Sequence, residues 1–586
     1  MDGFDLVIRG GTVINGSGAE PFIADVAVHG DKIVAVGKVD DRGKEEIDAT
    51  GKYVTPGFVD VHTHYDGQIT WENRLSPSSD HGVTTVVMGN CGVGFAPVRS
   101  TDHDLVVKLM EGVEDVPEVV MTTGVPWNWE TFPDYLDALE KREADIDFAA
   151  QLPHSPLRVY VMGRRGADLE PPTAQDLTDM RRLVKEAVEA GALGVSTSRN
   201  LAHRFRDGRP APSIKTEEEE ALALAGGLKD AGMGVFQLVP NTNLEPEPQL
   251  KLLRDLASTS GRPVSFTFMQ MGNQPDGWRQ ILAGLKAADK EGLEIRGQVI
   301  PRPTGGLFGL ELSLHPFALN PSFKEIAGLP LAEKVRVMRD PDFREKLLAE
   351  EPADPNEFFK FVISEKDMLF VLGDPPNYNP GPEESMGAIA KAQGRNVMDV
   401  IYDALLQRGG REILYRPMGN IDDQVSHFES SGRNLLDRDG MTIVALGDGG
   451  AHYSTICDAA YTTYLLTYWV KNAPAERRIP LHRAIKLLTR DPAAAVGLRD
   501  RGLVQPHYKA DINIIDFEKL HLYAPHATYD LPAGGRRLSQ KADGYCATIV
   551  SGKVTYRHGE ATGALPGRLQ RFARPDPVPA AKNVAA

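Results

Sequence analysis

The chain has 586 residues, 25% charged and 41% hydrophobic, which are the proportions of a globular protein, and its length predicts a large domain with a smaller satellite. Its formal net charge of -16, without a basic stripe, argues against a nucleic-acid partner, and no apolar run is long enough to predict a membrane span. Three cysteines cannot form a disulfide framework, so the sequence predicts a cytoplasmic protein.

Short strands with alternating polarity open the chain and return near its end. The first strands are predicted at residues 5–9, 10–14, 24–29 and 32–36. A similar alternation returns at residues 510–515 and 547–556. We therefore predict one small β-sandwich built from both chain ends, residues 1–55 and 496–560, followed by a tail at 561–586.

Between these two parts, at residues 56–495, apolar strand-like runs alternate with amphipathic helical stretches, the pattern of β/α units. Residues 173–190 are predicted to form a capped helix that leads into a strand at 193–198. Later strands are predicted at residues 234–239, 264–268, 295–300 and 442–446. Residues 310–410 lack this rhythm, and we predict a helical excursion over the strand ends that could serve as a lid.

Two histidines end the strand-like run at residues 53–61. Because side chains alternate along a strand, His62 and His64 point the same way and could chelate one divalent metal ion. Taken alone, they are equally well explained as polar residues at a strand end. The next apolar strand ends at Cys91 in a glycine-rich turn, and a thiolate there could complete a metal site.

Three stretches carry a resemblance to a known family: PGFVDVHTHYDGQ at 56–68, GVTTVVMGNCGVGFAPV at 82–98 and GDGGAH at 447–452. They resemble the amidohydrolase superfamily and, within it, the N-acyl-D-amino-acid deacylase (D-aminoacylase) branch, over residues 4–560. The Gly-Asn-Cys-Gly signature discriminates best, because most of the superfamily has a carboxylated lysine or a glutamate at that point. The resemblance implies an α/β protein, a (β/α)8 barrel with a small β-sandwich built from both chain ends, with zinc at the carboxyl ends of the barrel strands.

The same resemblance implies roles for Cys91 and Asp448. Cys91 matches the thiolate ligand of the branch, and Asp448 follows the apolar strand at 442–446, where the superfamily places an aspartate. Such an aspartate can contact the metal, take a proton from the attacking water and return it to the leaving amine. The alternative is an Asp-Gly turn without chemistry.

The chain departs from the branch at strands five and six. Members carry a Thr-His pair and a Ser-His-His run there, both of which supply metal ligands, whereas this sequence has Gln237 and Gln270 at the corresponding points. Amides are poor zinc ligands, so both glutamines are interpreted as hydrogen-bond donors to the substrate. The sequence therefore predicts about one Zn²⁺ per chain, bound by the two histidines, Cys91 and Asp448.

Four further residues are predicted to bind the substrate: Arg199, His203, Arg302 and His452. Arg199 and Arg302 follow predicted strands, and a guanidinium can pair with a substrate carboxylate through two hydrogen bonds. His203 is also explained as a solvated loop residue, and His452 as a donor to a backbone carbonyl.

The predicted function is zinc-dependent hydrolysis of an amide C–N bond in a small molecule, as in an N-acyl-amino-acid deacylase. A cyclic amide or a lactone could be opened by the same site, and a metal-poor, non-catalytic relative is a second alternative. An apolar subsite for the acyl group is predicted from Phe236, Phe266, Phe268 and Met269, although alternation lets only every second one face the interior. Association into a homo-oligomer is compatible with the sequence.

Overall fold

The structure is a computed structural model, and it describes residues 3–577 except 215, 217, 272, 275, 354–358, 361–363, 422–431, 437 and 439. The chain is a mixed α/β protein. Throughout this described part, no helix combines the length and the apolar character that a membrane span would require.

Strands from both chain ends pair in one nine-stranded sheet. Its members are Phe4–Val13, Phe22–His29, Lys32–Gly37, Gly43–Asp48, Tyr53–Pro56, Ile512–Ile515, Tyr545–Val550, Lys553–Arg557 and Glu560–Ala561. The two chain ends meet where Tyr53–Pro56 pairs antiparallel with Ile512–Ile515. Residues 5–9 and 10–14 were predicted as two strands but form one, Phe4–Val13, because a register shift between Ile8 and Gly11 absorbs the predicted turn.

Apart from the strands of an inserted region at 304–419, the described strands of the middle region pair in parallel and follow one another in chain order. One ladder contains Phe58–Asp60, Val83–Met88 and Asp147–Ala150. The second contains Leu152–Pro153, Gly194–Ser198, Val235–Val239, Val264–Thr267, Ile295–Val299 and Thr442–Val444. Gln151 lies between the two ladders, and its backbone N–H donates to the carbonyl of Met88 at 2.9 Å. Strands that are parallel in this way bring their carboxyl ends to one edge of the structure.

Local sequence accounts for these strands and for the helices that follow them. All six side chains of Val83–Met88 are buried, as expected for a β-branched strand covered on both faces. The helix predicted at 173–190 is confirmed as Ala174–Glu189, because Thr173 and Asp176 form a reciprocal capping box. The other helices next to this region are His103–Glu114, Glu118–Gly124, Phe132–Glu140, His154–Met162, Glu218–Ala231, Pro246–Ser260, Gly277–Lys290, Tyr461–Tyr464, Leu481–Leu488 and Arg490–Ala495.

Residues between the last two parallel strands form an inserted region with its own apolar cluster, which includes Phe308, Phe317 and Leu414. The helices that the structure describes there in full are Pro321–Ile326, Leu331–Met338, Pro341–Ala349, Met386–Gln393 and Val397–Leu405. The sequence indicated these helices. It did not indicate the antiparallel sheet of Thr304–Phe308, Leu414–Gly419 and Phe370–Val371 that anchors them.

The described part of the C-terminal tail lies against its own chain. The backbone of Gly567 exchanges hydrogen bonds with Ala144, and Gln570 donates to the carbonyl of Phe148 at 2.7 Å. Arg501 joins this region through an ion pair with the buried Asp147 at 2.8 Å. The tail thus covers the end of the parallel strands opposite to their carboxyl ends.

Candidate active site

Three predicted ligands meet at the carboxyl ends of neighbouring parallel strands. His62 and His64 follow Phe58–Asp60, and Cys91 follows Val83–Met88. Each side chain offers one ligand atom, and these atoms all lie within 4.8 Å of one another. The distance between His62 Nε2 and Cys91 Sγ is 3.3 Å. All three side chains are buried, so their convergence forms a small polar centre inside the protein.

Asp448 joins this centre from the loop after the last parallel strand. Its Oδ1 lies 3.5 Å from Nε2 of His62 and 3.6 Å from Nε2 of His64. Its side chain is 21% exposed, against 2% and 1% for the two histidines, so solvent and substrate can reach Asp448 most easily. The arrangement brings together the four side chains that the sequence predicted for the metal.

The backbone at this centre is held in unusual conformations. Cys91, Asp448 and His452 have φ angles of 57°, 48° and 53°, in the left-handed region that non-glycine residues rarely adopt. Gly450 has a φ of 87°, and a Cβ there would lie 2.7 Å from the carbonyl carbon of His64. Glycine is therefore required at position 450, where this loop passes the backbone of His64. The strained backbone of Cys91, Asp448 and His452 is typical of a functional site.

A glutamine that the sequence analysis missed orients His62. The distance between His62 Nδ1 and Gln298 Oε1 is 2.7 Å, and Gln298 Nε2 donates to Ser265 Oγ at 3.1 Å. With Nδ1 engaged, His62 presents Nε2 to Cys91 and Asp448. A metal-binding imidazole generally has a hydrogen-bond acceptor on its other nitrogen, so an acceptor for His62 could have been expected from the sequence. No local pattern in the sequence, however, identifies Gln298 as that acceptor.

The protonation states follow from burial and charge. Burial lowers the pKa of His62 to about 4, so its imidazole is neutral near pH 7. Burial alone would raise the pKa of Asp448, but the adjacent imidazoles of His64 and His62 hold that pKa below its ordinary value. Burial raises the pKa of the Cys91 thiol to about 12. A thiolate at Cys91 therefore requires a compensating positive charge, such as that of a metal ion.

The donor set fits a divalent cation. Within the described part of the chain, both ring nitrogens of His64 and Oδ1 of Asp448 are buried without a hydrogen-bond partner, which is costly unless another group satisfies them. Burial alone would lower the pKa of His64, but Glu114, Cys91 and Asp448 raise it well above its ordinary value. The centre therefore attracts positive charge. Imidazole, thiolate and carboxylate together suit Zn²⁺ better than Mg²⁺ or Ca²⁺.

The two glutamines of strands five and six occupy different positions. Gln237 is buried beside Cys91, whose backbone N–H donates to Gln237 Oε1 at 3.3 Å, and its Nε2 has no partner among the described residues. Gln270 lies three residues beyond the end of Val264–Thr267, and its Oε1 accepts from Asn434 Nδ2 at 3.1 Å. Gln237 therefore has a donor available at the centre, as predicted for a substrate-binding residue.

Three other predicted substrate-binding residues lie at the same edge of the structure. His203 is half-buried, with Nδ1 unpartnered, and burial together with the charges of His452 and His64 lowers its pKa to about 3. His452 Nε2 lies 3.6 Å from a carboxylate oxygen of Glu114, a buried residue that the sequence analysis did not single out. Arg199 is half-buried directly after Gly194–Ser198.

Arg302 requires a correction. Its guanidinium is 2% exposed, forms an ion pair with the buried Asp458 at 2.5 Å and donates to the carbonyl of Cys457 at 2.9 Å. It also lies over the ring of Tyr378, 3.9 Å from the centroid. Because Asp458 already neutralises this charge, the structure assigns Arg302 to the fold and not to a substrate carboxylate.

The predicted apolar subsite also requires a correction. Gln237 and Ser265 contact residues of the centre, so the alternating neighbours Phe236 and Phe266 point to the opposite face of their strands. Both phenylalanines are fully buried in the large apolar core. Phe268 packs against Phe266, with ring centroids 5.4 Å apart. These aromatic rings therefore stabilise the fold between strands and helices.

Comparison with known proteins gives a family match across most of the chain. Residues 45–556 match the model of the Amidohydrolase family. D-aminoacylase of Alcaligenes xylosoxydans xylosoxydans is 26% identical over 575 residues, covering 97% of this chain and 97% of that protein. N-acyl-D-aspartate deacylase of the same organism is 37% identical over 199 residues, covering 33% of this chain and 36% of that protein.

Solved structures share the fold. A crystal structure of D-aminoacylase matches with a TM-score of 0.62 and 24% identity, covering 97% of this chain and 100% of that chain. N-acyl-D-glutamate deacylase from Bordetella bronchiseptica, solved with zinc and a phosphonate inhibitor, matches with a TM-score of 0.61 and 21% identity over 97% of this chain and 100% of that chain.

Replacing Arg302 by methionine should destabilise the protein by about 3–5 kcal/mol, because it leaves Asp458 buried without its partner. Thermal unfolding should show a large fall in Tm, and the double variant Arg302→Met/Asp458→Leu should recover much of it. Arg336→Met, which breaks an exposed pair with Glu333, is the matched control and should change Tm little. An unchanged Tm in Arg302→Met would contradict the structural role.

Proposed function

The chain belongs to the amidohydrolase family, and on that premise we propose that it is a metal-dependent hydrolase that cleaves a non-peptide amide C–N bond. The observation that carries this proposal is the convergence of His62, His64 and Cys91 within 4.8 Å, with Asp448 Oδ1 at 3.5 and 3.6 Å from the two imidazoles. Whole-length similarity to D-aminoacylase supports it. Retention of all four side chains speaks against a non-catalytic relative.

We propose that the metal is zinc, with about one ion per chain held by His62, His64, Cys91 and Asp448. Bound there, zinc would lower the pKa of a water molecule and polarise the scissile carbonyl. A single ion is favoured because Gln237 supplies an amide where a second ion would need an anionic or imidazole ligand.

Asp448 is the proposed general acid and base. Its pKa is held below the ordinary value, so its carboxylate is ionised at neutral pH and can accept a proton from the attacking water. The same oxygen can then deliver that proton to the nitrogen of the leaving amine. Gln237 Nε2, which is buried and unpartnered, is placed to donate a hydrogen bond to the substrate.

For the architecture we propose a closed (β/α)8 barrel at residues 56–495, with the sandwich at 1–55 and 496–560 and the tail at 561–586. Backbone hydrogen bonds between the segments after the first and last parallel strands support the closure: Asp448 N to His62 O at 3.1 Å and His64 N to Gly449 O at 2.7 Å. A cytoplasmic location and self-association stay predictions of the sequence.

The proposed substrate is an N-acylated amino acid whose carboxylate pairs with Arg199. The names of the relatives support this class, since D-aminoacylase and N-acyl-D-aspartate deacylase both denote removal of an acyl group from an amino acid. With Arg302 neutralised by Asp458, Arg199 is the remaining predicted arginine at this edge. A cyclic amide or a lactone, which needs no cation for a carboxylate, is the alternative.

The metal prediction is about one equivalent of zinc in the purified protein, because four protein groups are available for one ion. Plasma emission spectroscopy measures the content in wild type and in Cys91→Ala, which should lose most of its zinc. Cys546→Ala, a change at a free cysteine in the nine-stranded sheet, is the matched control and should retain it. Two equivalents in wild type, or full occupancy in Cys91→Ala, would contradict the proposed site.

Asp448→Asn should lower kcat by about 100-fold or more, since the amide cannot accept the proton that the carboxylate takes. Zinc content and circular dichroism should stay close to wild type, because the two histidines and Cys91 remain. Steady-state kinetics on an N-acyl amino acid measures the effect. A variant that retains most of its activity would remove Asp448 from the proton transfer.

Arg199→Ala should raise KM for N-acyl amino acids and leave KM for the matching uncharged amides nearly unchanged, because only the former present a carboxylate. Arg204→Ala, an exposed arginine of the same loop, is the control. Equal KM values for Arg199→Ala and wild type on the charged substrates would favour the neutral cyclic amide or lactone.

A further inference from the structure

Glu114 is a buried carboxylate at the end of the helix His103–Glu114, beside the proposed metal centre. Its side chain is 1% exposed, and neither carboxylate oxygen has a hydrogen-bond partner in the portion of the chain that the structure describes. A buried charge without partners destabilises the fold, so native proteins retain one only where a nearby group can pair with it.

The groups nearest to the carboxylate are two imidazoles. Oε1 lies 3.4 Å from Nδ1 of His64, and Oε2 lies 3.6 Å from Nε2 of His452. The other nitrogen of His64, Nε2, lies 3.6 Å from Asp448 Oδ1. The ring of His64 therefore stands between two carboxylates, with Glu114 on the side away from the centre.

His62 shows the same arrangement with a neutral partner. Its Nδ1 faces Gln298 Oε1 at 2.7 Å, and its Nε2 faces Cys91 and Asp448. An acceptor on one nitrogen of a metal-binding imidazole fixes the tautomer and the ring orientation, and leaves the other nitrogen for the metal. Gln298 supplies this acceptor for His62, and Glu114 is in place to supply it for His64.

Backbone contacts hold Glu114 in this position. Its carbonyl accepts from the N–H of His452 at 2.5 Å. The next residue, Asp115, accepts from the N–H of Ser454 at 3.0 Å and from the hydroxyl of Thr455 at 3.2 Å. The helix end is thereby hydrogen-bonded to the loop that begins at Asp448, so movement of the backbone at Glu114 away from this loop would break three contacts.

A direct ligand role for Glu114 does not fit this geometry. The two nitrogens of an imidazole point in opposite directions, and Glu114 lies on the Nδ1 side of His64, whereas Asp448 lies on the Nε2 side. Among the described residues, the ligand atoms that converge belong to His62, His64 and Cys91. Glu114 therefore acts through the imidazoles.

We propose that Glu114 is a positioning residue that accepts from Nδ1–H of His64 and Nε2–H of His452, and so presents His64 Nε2 to the metal and sets the affinity of the site. The inference rests on the proposed metal centre. Loss of such an outer acceptor weakens metal binding by about 10–100-fold in other metal sites.

The test compares Zn²⁺ affinity of the metal-free full chain in three forms: wild type, Glu114→Met and Glu412→Met. Methionine keeps the length of the side chain and removes both acceptor oxygens, whereas glutamine would keep an acceptor of the kind that Gln298 provides for His62. Competition with a chromophoric chelator measures the affinity. Glu412 is a buried glutamate of the inserted region that accepts backbone hydrogen bonds from Gly373 and Ile413, so its variant controls for loss of a buried carboxylate as such. We expect Zn²⁺ to bind Glu114→Met about 10–100-fold more weakly than wild type and Glu412→Met like wild type.

A spectroscopic readout separates positioning from a general disturbance of the fold. In the Co²⁺-loaded protein, Glu114→Met should keep the thiolate-to-metal band of Cys91 and alter the ligand-field bands, since only His64 is released from its orientation. Glu114→Asp keeps the charge but shortens the side chain, and its affinity should lie between those of wild type and Glu114→Met.

Three outcomes would overturn the inference, and they are distinguishable. If Cys91→Ala loses zinc while Glu114→Met binds it like wild type, the metal centre stands and Glu114 has no role in it. If Cys91→Ala binds zinc as tightly as wild type, the proposed metal centre itself fails, and the inference fails with it. Equal weakening in Glu114→Met and Glu412→Met would assign the effect to the fold.

Discussion

The site depends on one connection between the two ends of the parallel-strand region. The loop after the last strand is hydrogen-bonded to the segment after the first, through Asp448 N to His62 O and His64 N to Gly449 O. Without this connection, Asp448 would be far from the histidines. The loop makes it at the expense of left-handed backbone at Asp448, which costs about 1–3 kcal/mol for a non-glycine residue. The surrounding packing compensates for that strain.

The electrostatics of the centre follow from the burial of several acidic groups close to one another. Asp448 and Glu114 lie on opposite sides of His64, and the Cys91 thiol is adjacent. Burial disfavours the charged form of each acidic group, and their combined negative charge strongly favours the binding of a positive charge between them. A divalent cation would neutralise this negative charge and would also provide a partner for the unpartnered atoms. The same side chains that destabilise the fold locally therefore favour metal binding.

Site residues that belong to a short sequence pattern could be predicted from the sequence. Site residues that are defined only by contacts between distant parts of the chain could not. The HxH pair and the cysteine in its glycine-rich turn predicted a site that the fold assembles. Gln298 and Glu114 have no such pattern, because one is a single amide within a strand and the other ends an amphipathic helix. Arg302 was predicted from its residue type and its position after a strand, and only the structure shows that Asp458 is its partner.

The sequence by itself determined the parallel β/α rhythm, the pairing of both chain ends and the residues able to bind a metal, because strand periodicity and ligand chemistry are local properties of the chain. The tertiary structure decided which side chains share one centre, which nitrogen of each histidine faces it and which arginine is neutralised inside the fold. Those outcomes depend on the register of distant strands and on side-chain direction. Only the packed structure specifies them, since each involves residues that are remote in sequence and adjacent in space.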